Sequence, residues 1–105
     1  MAIIQANNGI VTQINVFTVP LGGQDALIEN LKEAARCAAK EEGWLSASLH
    51  RSLDGMRVVN YAQSVNLDAA HAVIGRLKRE GYIDRNKAFG EAHPGLYEVL
   101  FSVER

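Results

Sequence analysis

The order in which apolar spacing alternates between every second residue and every third or fourth constrains this chain most. Residues 10–19 (IVTQINVFTV) are rich in β-branched side chains and end at Pro20 and Gly22-Gly23, which predicts a strand with a sharp stop. Its two faces carry Ile10, Thr12, Ile14, Val16 and Thr18 on one side, and Val11, Gln13, Asn15, Phe17 and Val19 on the other. Residues 24–42 change period: Leu27, Leu31, Ala34, Ala35 and Ala38 form one stripe, Asp25 and Glu29 suit the start, and Gly43 stops the helix. Trp44–Arg51 and residues 56–64 read as a hairpin around Ser52-Leu53-Asp54-Gly55. Asn66 is placed to cap a second helix over Leu67–Arg79, with Leu67, Ala70, Ile74 and Leu77 as its stripe. Residues 82–92 are polar and irregular, with a short helix expected over 83–89. Pro94-Gly95 then leads to a last strand over 96–103.

The order is β-α-β-β-α-β, an α+β ferredoxin-like plan with a four-stranded antiparallel sheet and both helices on one side. One domain over residues 1–105 is expected, with a frayed start over 1–9 after which Asn7-Asn8-Gly9 turns the chain. An even-length hairpin turn puts Leu45, Ala47 and Leu49 on one face with Val58, Asn60 and Ala62. Trp44, Ser46, Ser48 and His50 then share the other face with Arg57, Val59, Tyr61 and Gln63. Two helices cannot cover both sides of the sheet, so Trp44, Ser48, His50, Val59 and Tyr61 are expected at a homodimer interface, two sheets closing into an α/β barrel.

Composition excludes several functions. Eleven Lys and Arg against twelve Asp and Glu give a net charge of −1, which argues against nucleic acid or an anionic membrane as partner. The single Cys37 forms no intrachain disulfide and no cysteine-based zinc site, and suits a reducing cytoplasm. The three His, at 50, 71 and 93, have no ligand spacing; no P-loop, GxGxxG or GxSxG occurs. No metal and no cofactor are therefore expected. The start of the chain lacks a basic region and a long apolar run, so it does not read as a signal peptide.

Asn60 is the most informative residue. Between Val58 and Ala62 on the helix-facing side its amide loses water, and an unpaired buried amide costs about 1–3 kcal/mol. Either the backbone or Asn15 satisfies it, or it faces a ligand in a pocket between sheet and helices, beside Phe17. His71, at the edge of the second helix's stripe, is either a partly exposed structural residue or a general acid or base for that ligand.

The segment from Trp44 to Gln63 (WLSASLHRSLDGMRVVNYAQ) resembles the hairpin of the antibiotic biosynthesis monooxygenase family, and its DG-x-x-VVNYAQ core is specific. Residues 13–19 (QINVFTV) and 95–99 (GLYEV) are similar to that family's first and last strands. The resemblance implies a dimeric α+β barrel. The family includes small oxygenases that turn phenolic polyketides into quinones with O2, without flavin, haem or metal, and related branches that bind and degrade haem or act on small signalling molecules. The resemblance also makes Asn60 the pocket asparagine. Ser64 stands where the family usually has Trp, and Ala70 where its quinone-forming members have Tyr. A roomier pocket is expected, with Ser64 and Ala70 joining Asn15, Phe17 and Leu49 around the substrate and Asn60 and His71 as the catalytic pair. The alternatives are a non-catalytic dimeric binding protein for a small hydrophobic ligand, and an isomerase or lyase using His71.

Overall fold

The computed structural model describes all 105 residues. Its elements in chain order are β1 Val11–Thr18, α1 Gln24–Ala38, β2 Trp44–Arg51, β3 Arg57–Ser64, α2 Leu67–Arg79, α3 Tyr82–Asn86 and β4 Glu91–Tyr97. The four strands form one sheet in the order β2-β3-β1-β4, with every neighbouring pair antiparallel. Both long connections, through α1 and α2, cross the same face, which is the ferredoxin-like α+β fold. The molecule is only 19 Å through its thinnest direction, one sheet plus one layer of helices. No helix is long and apolar enough to cross a membrane.

The core follows from the two periodicities. On the sheet, Phe17 and Val58 are direct register partners and both are fully buried. They meet Leu27 and Leu31 of α1, one turn apart, and Val19 just beyond β1. Burying each such side chain contributes roughly 1.5–3 kcal/mol. On α2, Ala69, Ala70 and Val73 are buried, and Asn66 caps the helix as its sequence suggests, its Oδ1 accepting from Ala69 N–H at 2.8 Å. Gly43, between α1 and β2, has φ +90, and a Cβ there would lie 2.6 Å from Ala69 Cβ. Only glycine gives both the left-handed turn and the close approach of α2.

Four expectations are corrected. The last strand lies over Glu91–Tyr97, not 96–103. Pro94 and Gly95 hide it from propensity reasoning, yet β4 is an edge strand, where proline does not interrupt a ladder on both sides. The apolar run after it leaves the sheet, and Leu100, Phe101 and Val103 are all at least 70% exposed. The first helix ends at Ala38, four residues before Glu42, in turns closed by Lys40 N–H to Cys37 and Glu41 N–H to Ala38. The N-terminal segment is not frayed: Gln63 accepts from Ile3 N–H at 2.7 Å and donates to Ile3 C=O at 2.8 Å. Asn7 N–H adds a bond to Val99 C=O at 3.0 Å. That strap crosses one end of the open sheet face and leaves Gln63, Thr12 and Ser46 buried.

The fourth correction concerns Trp44. The hairpin alternation holds from Ala47 to Arg51, whose partners are Ala62 to Val58. Between Trp44 and Ser46 the register slips by one residue, so Trp44 pairs with Ser64 and turns to the helix face. Trp44 is therefore not on the expected dimer face. Ser48, His50, Val59 and Tyr61 do lie together on the open face. There Ser48 Oγ and His50 Nε2 are 3.0 Å apart, and the His50 ring stands edge-on to Tyr61.

Candidate active site

Between the helix-facing side of the sheet and the helices lies a cavity of about 200 Å³. Its floor comes from β1 and β3, where period two brings Gln13, Asn15, Phe17 and Asn60 to one face. Leu31 and Ala34 of α1 and Ile74 and Leu77 of α2 form its roof. At the mouth stand Ile83, Asn86 and Lys87 on one side and Ala92 and Pro94 of β4 on the other. An apolar cavity of about 150 Å³ can hold benzene, so this one suits a ligand of one or two rings.

Asn15 and Asn60 are direct partners across β1 and β3, so their amides stand side by side. They are held differently. Asn15 Oδ1 accepts from His93 N–H of β4 at 3.1 Å. Asn60 Oδ1 is buried and has no protein partner. Of the two roles open to Asn60 in the sequence, satisfaction by Asn15 or the backbone is not formed; its amide faces the cavity unbound. A strand flanked by strands on both sides holds it there, so the amide is placed to about the precision of the sheet.

Trp44, Ser64 and Ala70 together line a smaller void of about 10 Å³, next to the cavity, with Gln13 and Ile74 common to both. The bulge thus sets an indole on β2 directly opposite the serine on β3. Ser64 and Ala70 do not enlarge the main cavity, because the Trp44 ring occupies the space beside them. A third recess, of about 20 Å³, lies between Trp44 and Asn60, again walled by Gln13.

Leu49, expected in the pocket, pairs with Asn60 but packs against the Phe17 core and does not line the cavity. His71 is exposed on the outer side of α2 and lines none of these spaces. Its position in the stripe was one step off, since α2 buries Ala69, Ala70 and Val73. The only ionisable group on the cavity wall is Lys87 at the mouth, paired with Asp84 at 3.4 Å and largely exposed. Gln13 was legible from its period-two companions Asn15 and Phe17. Asn86, Lys87 and Pro94 come from irregular sequence and carried no such signal. Asn86 is held in place by a hydrogen bond from the buried Asn30 amide of α1, which ties α3 over the cavity.

No curated protein matches the chain in sequence. Among solved structures, SnoaB, a cofactor-independent oxygenase from Streptomyces nogalater, superposes with a TM-score of 0.80 at 20% identity, over 92% of this chain and 99% of its own. The ActVA-Orf6 monooxygenase of Streptomyces coelicolor, solved with nanaomycin D, gives a TM-score of 0.76 at 24% identity over 92% of each chain. Those identities establish a shared fold. The sequence pattern of one family goes further: it runs over residues 10–72, through β1, α1, the hairpin and into α2, and so includes Asn15 and Asn60 of the cavity floor. By that match this chain belongs to the antibiotic biosynthesis monooxygenase family.

Proposed function

We propose that this protein oxidises a small hydroxylated aromatic molecule with O2, using no flavin, haem or metal. The observation that carries the reading is the Asn60 amide, set on the cavity floor with no protein partner. A phenol such as 1-naphthol fits the room available. Ionised, it transfers an electron to O2; the two radicals combine to form a C–O bond, and loss of water from the peroxide leaves a quinone. One oxygen atom enters the product and the other leaves as water, so one naphthol and one O2 give one naphthoquinone and one water. The protein's share is to hold the ring in an apolar space and to donate a hydrogen bond from Asn60 to the oxyanion. Lys87, the one ionisable side chain on the wall, is paired with Asp84 at the mouth, so stabilising the oxyanion falls to Asn60.

Oxygen uptake with a panel of naphthols and other one- and two-ring phenols tests this. Uptake above the uncatalysed rate is expected, falling about 10²-fold in Asn60→Ala, the scale of one oxyanion donor. An unchanged rate in a folded Asn60→Ala protein refutes the role. A second reading, ligand binding without turnover, is favoured by one observation: the cavity wall offers no acid–base pair, only Lys87. Binding of these compounds with no oxygen uptake selects it. His71, on the outer side of α2, gives no support to an isomerase or lyase.

The same reading includes a homodimer. Ile14, Val16, Val59 and Tyr61 lie on the part of the sheet face that the N-terminal strap does not close, and the apolar run containing Leu100 and Phe101 is unpacked. Light scattering at micromolar concentration is expected to give twice the chain mass of 11.5 kDa; a monomeric mass refutes it.

A further inference from the structure

Two polar atoms inside the sandwich are buried without a partner, and they are complementary. Trp44 Nε1–H is a donor only, and Asn60 Oδ1 is an acceptor only. Both residues line the recess of about 20 Å³ beneath α1 and α2, with Gln13 joining it to the main cavity. They do not bond each other. Whatever satisfies both accepts from the indole and donates to the amide, and a space of this size admits a single oxygen atom. Carbonyl, ether and carboxylate oxygens fail the second condition, and ammonium fails the first. An O–H oxygen meets both.

We propose that Trp44 is a positioning residue for Asn60, acting through one O–H oxygen seated in this recess. The oxygen belongs to a water molecule, which leaves the single oxygen of a phenol to accept from Asn60 in the main cavity. With Oδ1 engaged on the Trp44 side, the amide is turned so that Nδ2–H faces the cavity, the orientation in which Asn60 can donate to a ligand oxygen. Without the indole N–H the amide can rotate, and the donor is lost for part of the time. The inference rests on the cavity binding a ligand at Asn60, and not on the oxidation that follows.

Trp44→Phe removes the N–H and keeps an aromatic ring in the bulge. Calorimetric titration with 1-naphthol in the absence of O2 is expected to show binding weakened about fivefold, the scale of one neutral hydrogen bond. In the Asn60→Ala background the same substitution is expected to have no further effect, a coupling that mere packing by Trp44 would not produce. Titration with 1-methoxynaphthalene, whose ether oxygen accepts from Nδ2–H but has no hydrogen to give Oδ1, is expected to show an equal loss. A loss confined to naphthol places the ligand's own hydroxyl in the recess and overturns the proposal. Unweakened binding in Trp44→Phe, or a loss that persists unchanged without Asn60, overturns the proposal.

The chain has one tryptophan, so its single indole N–H resonance gives a second test that needs no variant. A hydrogen-bonded shift in the free protein is expected, because the water is in place before the ligand arrives. A free indole shift there overturns the proposal. Naphthol binding with this coupling but no oxygen uptake leaves the inference standing and refutes only the oxidation.

Discussion

Ser64→Trp restores the residue that the family usually carries after NYAQ, and the structure says this chain will not accept it. Trp44 and Ser64 are paired across β2 and β3 and both face the helices. The void between them, Ala70 and Val73 is about 10 Å³, at the limit for a single water, so a second indole has nowhere to go. Forcing large groups into a packed core typically costs about 1–3 kcal/mol, and an indole belongs at the upper end of that range. For a domain of this size the loss corresponds to a fall of roughly 10–20 °C in melting temperature. Trp44→Ser alone leaves a hole instead, at about 3–5 kcal/mol by comparison with truncations of large aromatic residues. The double exchange, Trp44→Ser with Ser64→Trp, conserves volume and moves the indole across one strand. It is expected to recover about 2 kcal/mol or more over the sum of the two single losses. Thermal melts by circular dichroism, at one fixed protein concentration so that dimerisation does not bias them, measure all three. Ser64→Trp with unchanged stability, or a double variant no better than additive, would refute the bulge and the helix-facing indole together.

Gly43→Ala combines a φ of +90 with a Cβ 2.6 Å from Ala69 Cβ, and is expected to lose about 2 kcal/mol or more in urea unfolding. Asp54 in the hairpin turn accepts from Ser52 Oγ at 2.7 Å and Met56 N–H at 3.0 Å and pairs with Arg57. These bonds, that from Ser52 first, hold its carboxyl below its ordinary value of 3.8. A pKa lowered by folding contributes stability above the ordinary value and loses it as pH falls through the folded one. Urea midpoints of wild type and Asp54→Asn are therefore expected to converge as pH drops below 3.8; a gap that stays constant would show that the carboxylate charge contributes nothing. Gln63→Leu removes the amide that binds both backbone groups of Ile3, so limited proteolysis is expected to cut the first nine residues faster than in the wild type. Equal cleavage rates would mean that the strap is held by other contacts.

Much of this fold was written in local periodicity. Phe17 and Asn15 share a face because strand side chains alternate, Leu27 and Leu31 share one because helix turns repeat, and Asn66 caps α2 because its side chain reaches only its own helix start. Asn60 was legible for the same reason: an amide between two apolar residues of matching phase has to face the helices. The candidate site beyond it was legible only in part. Leu49 follows the correct alternation and still misses the cavity, since phase selects a face and not a position along it.

The order of residues alone set which stretches become strands and helices, the antiparallel order they adopt, and the placing of one amide under the helices. All of these depend on side-chain spacing within short segments. Tertiary structure decided the rest. A one-residue bulge turned Trp44 from the open face to the side of Asn60, and such a slip costs too little locally to show in composition. Glu91–Tyr97 became a strand despite Pro94 and Gly95 because it had only β1 to pair with. His71 went outward and Lys87 came to the mouth because the angle at which helices settle on a sheet is set by packing between distant residues, which no local pattern records.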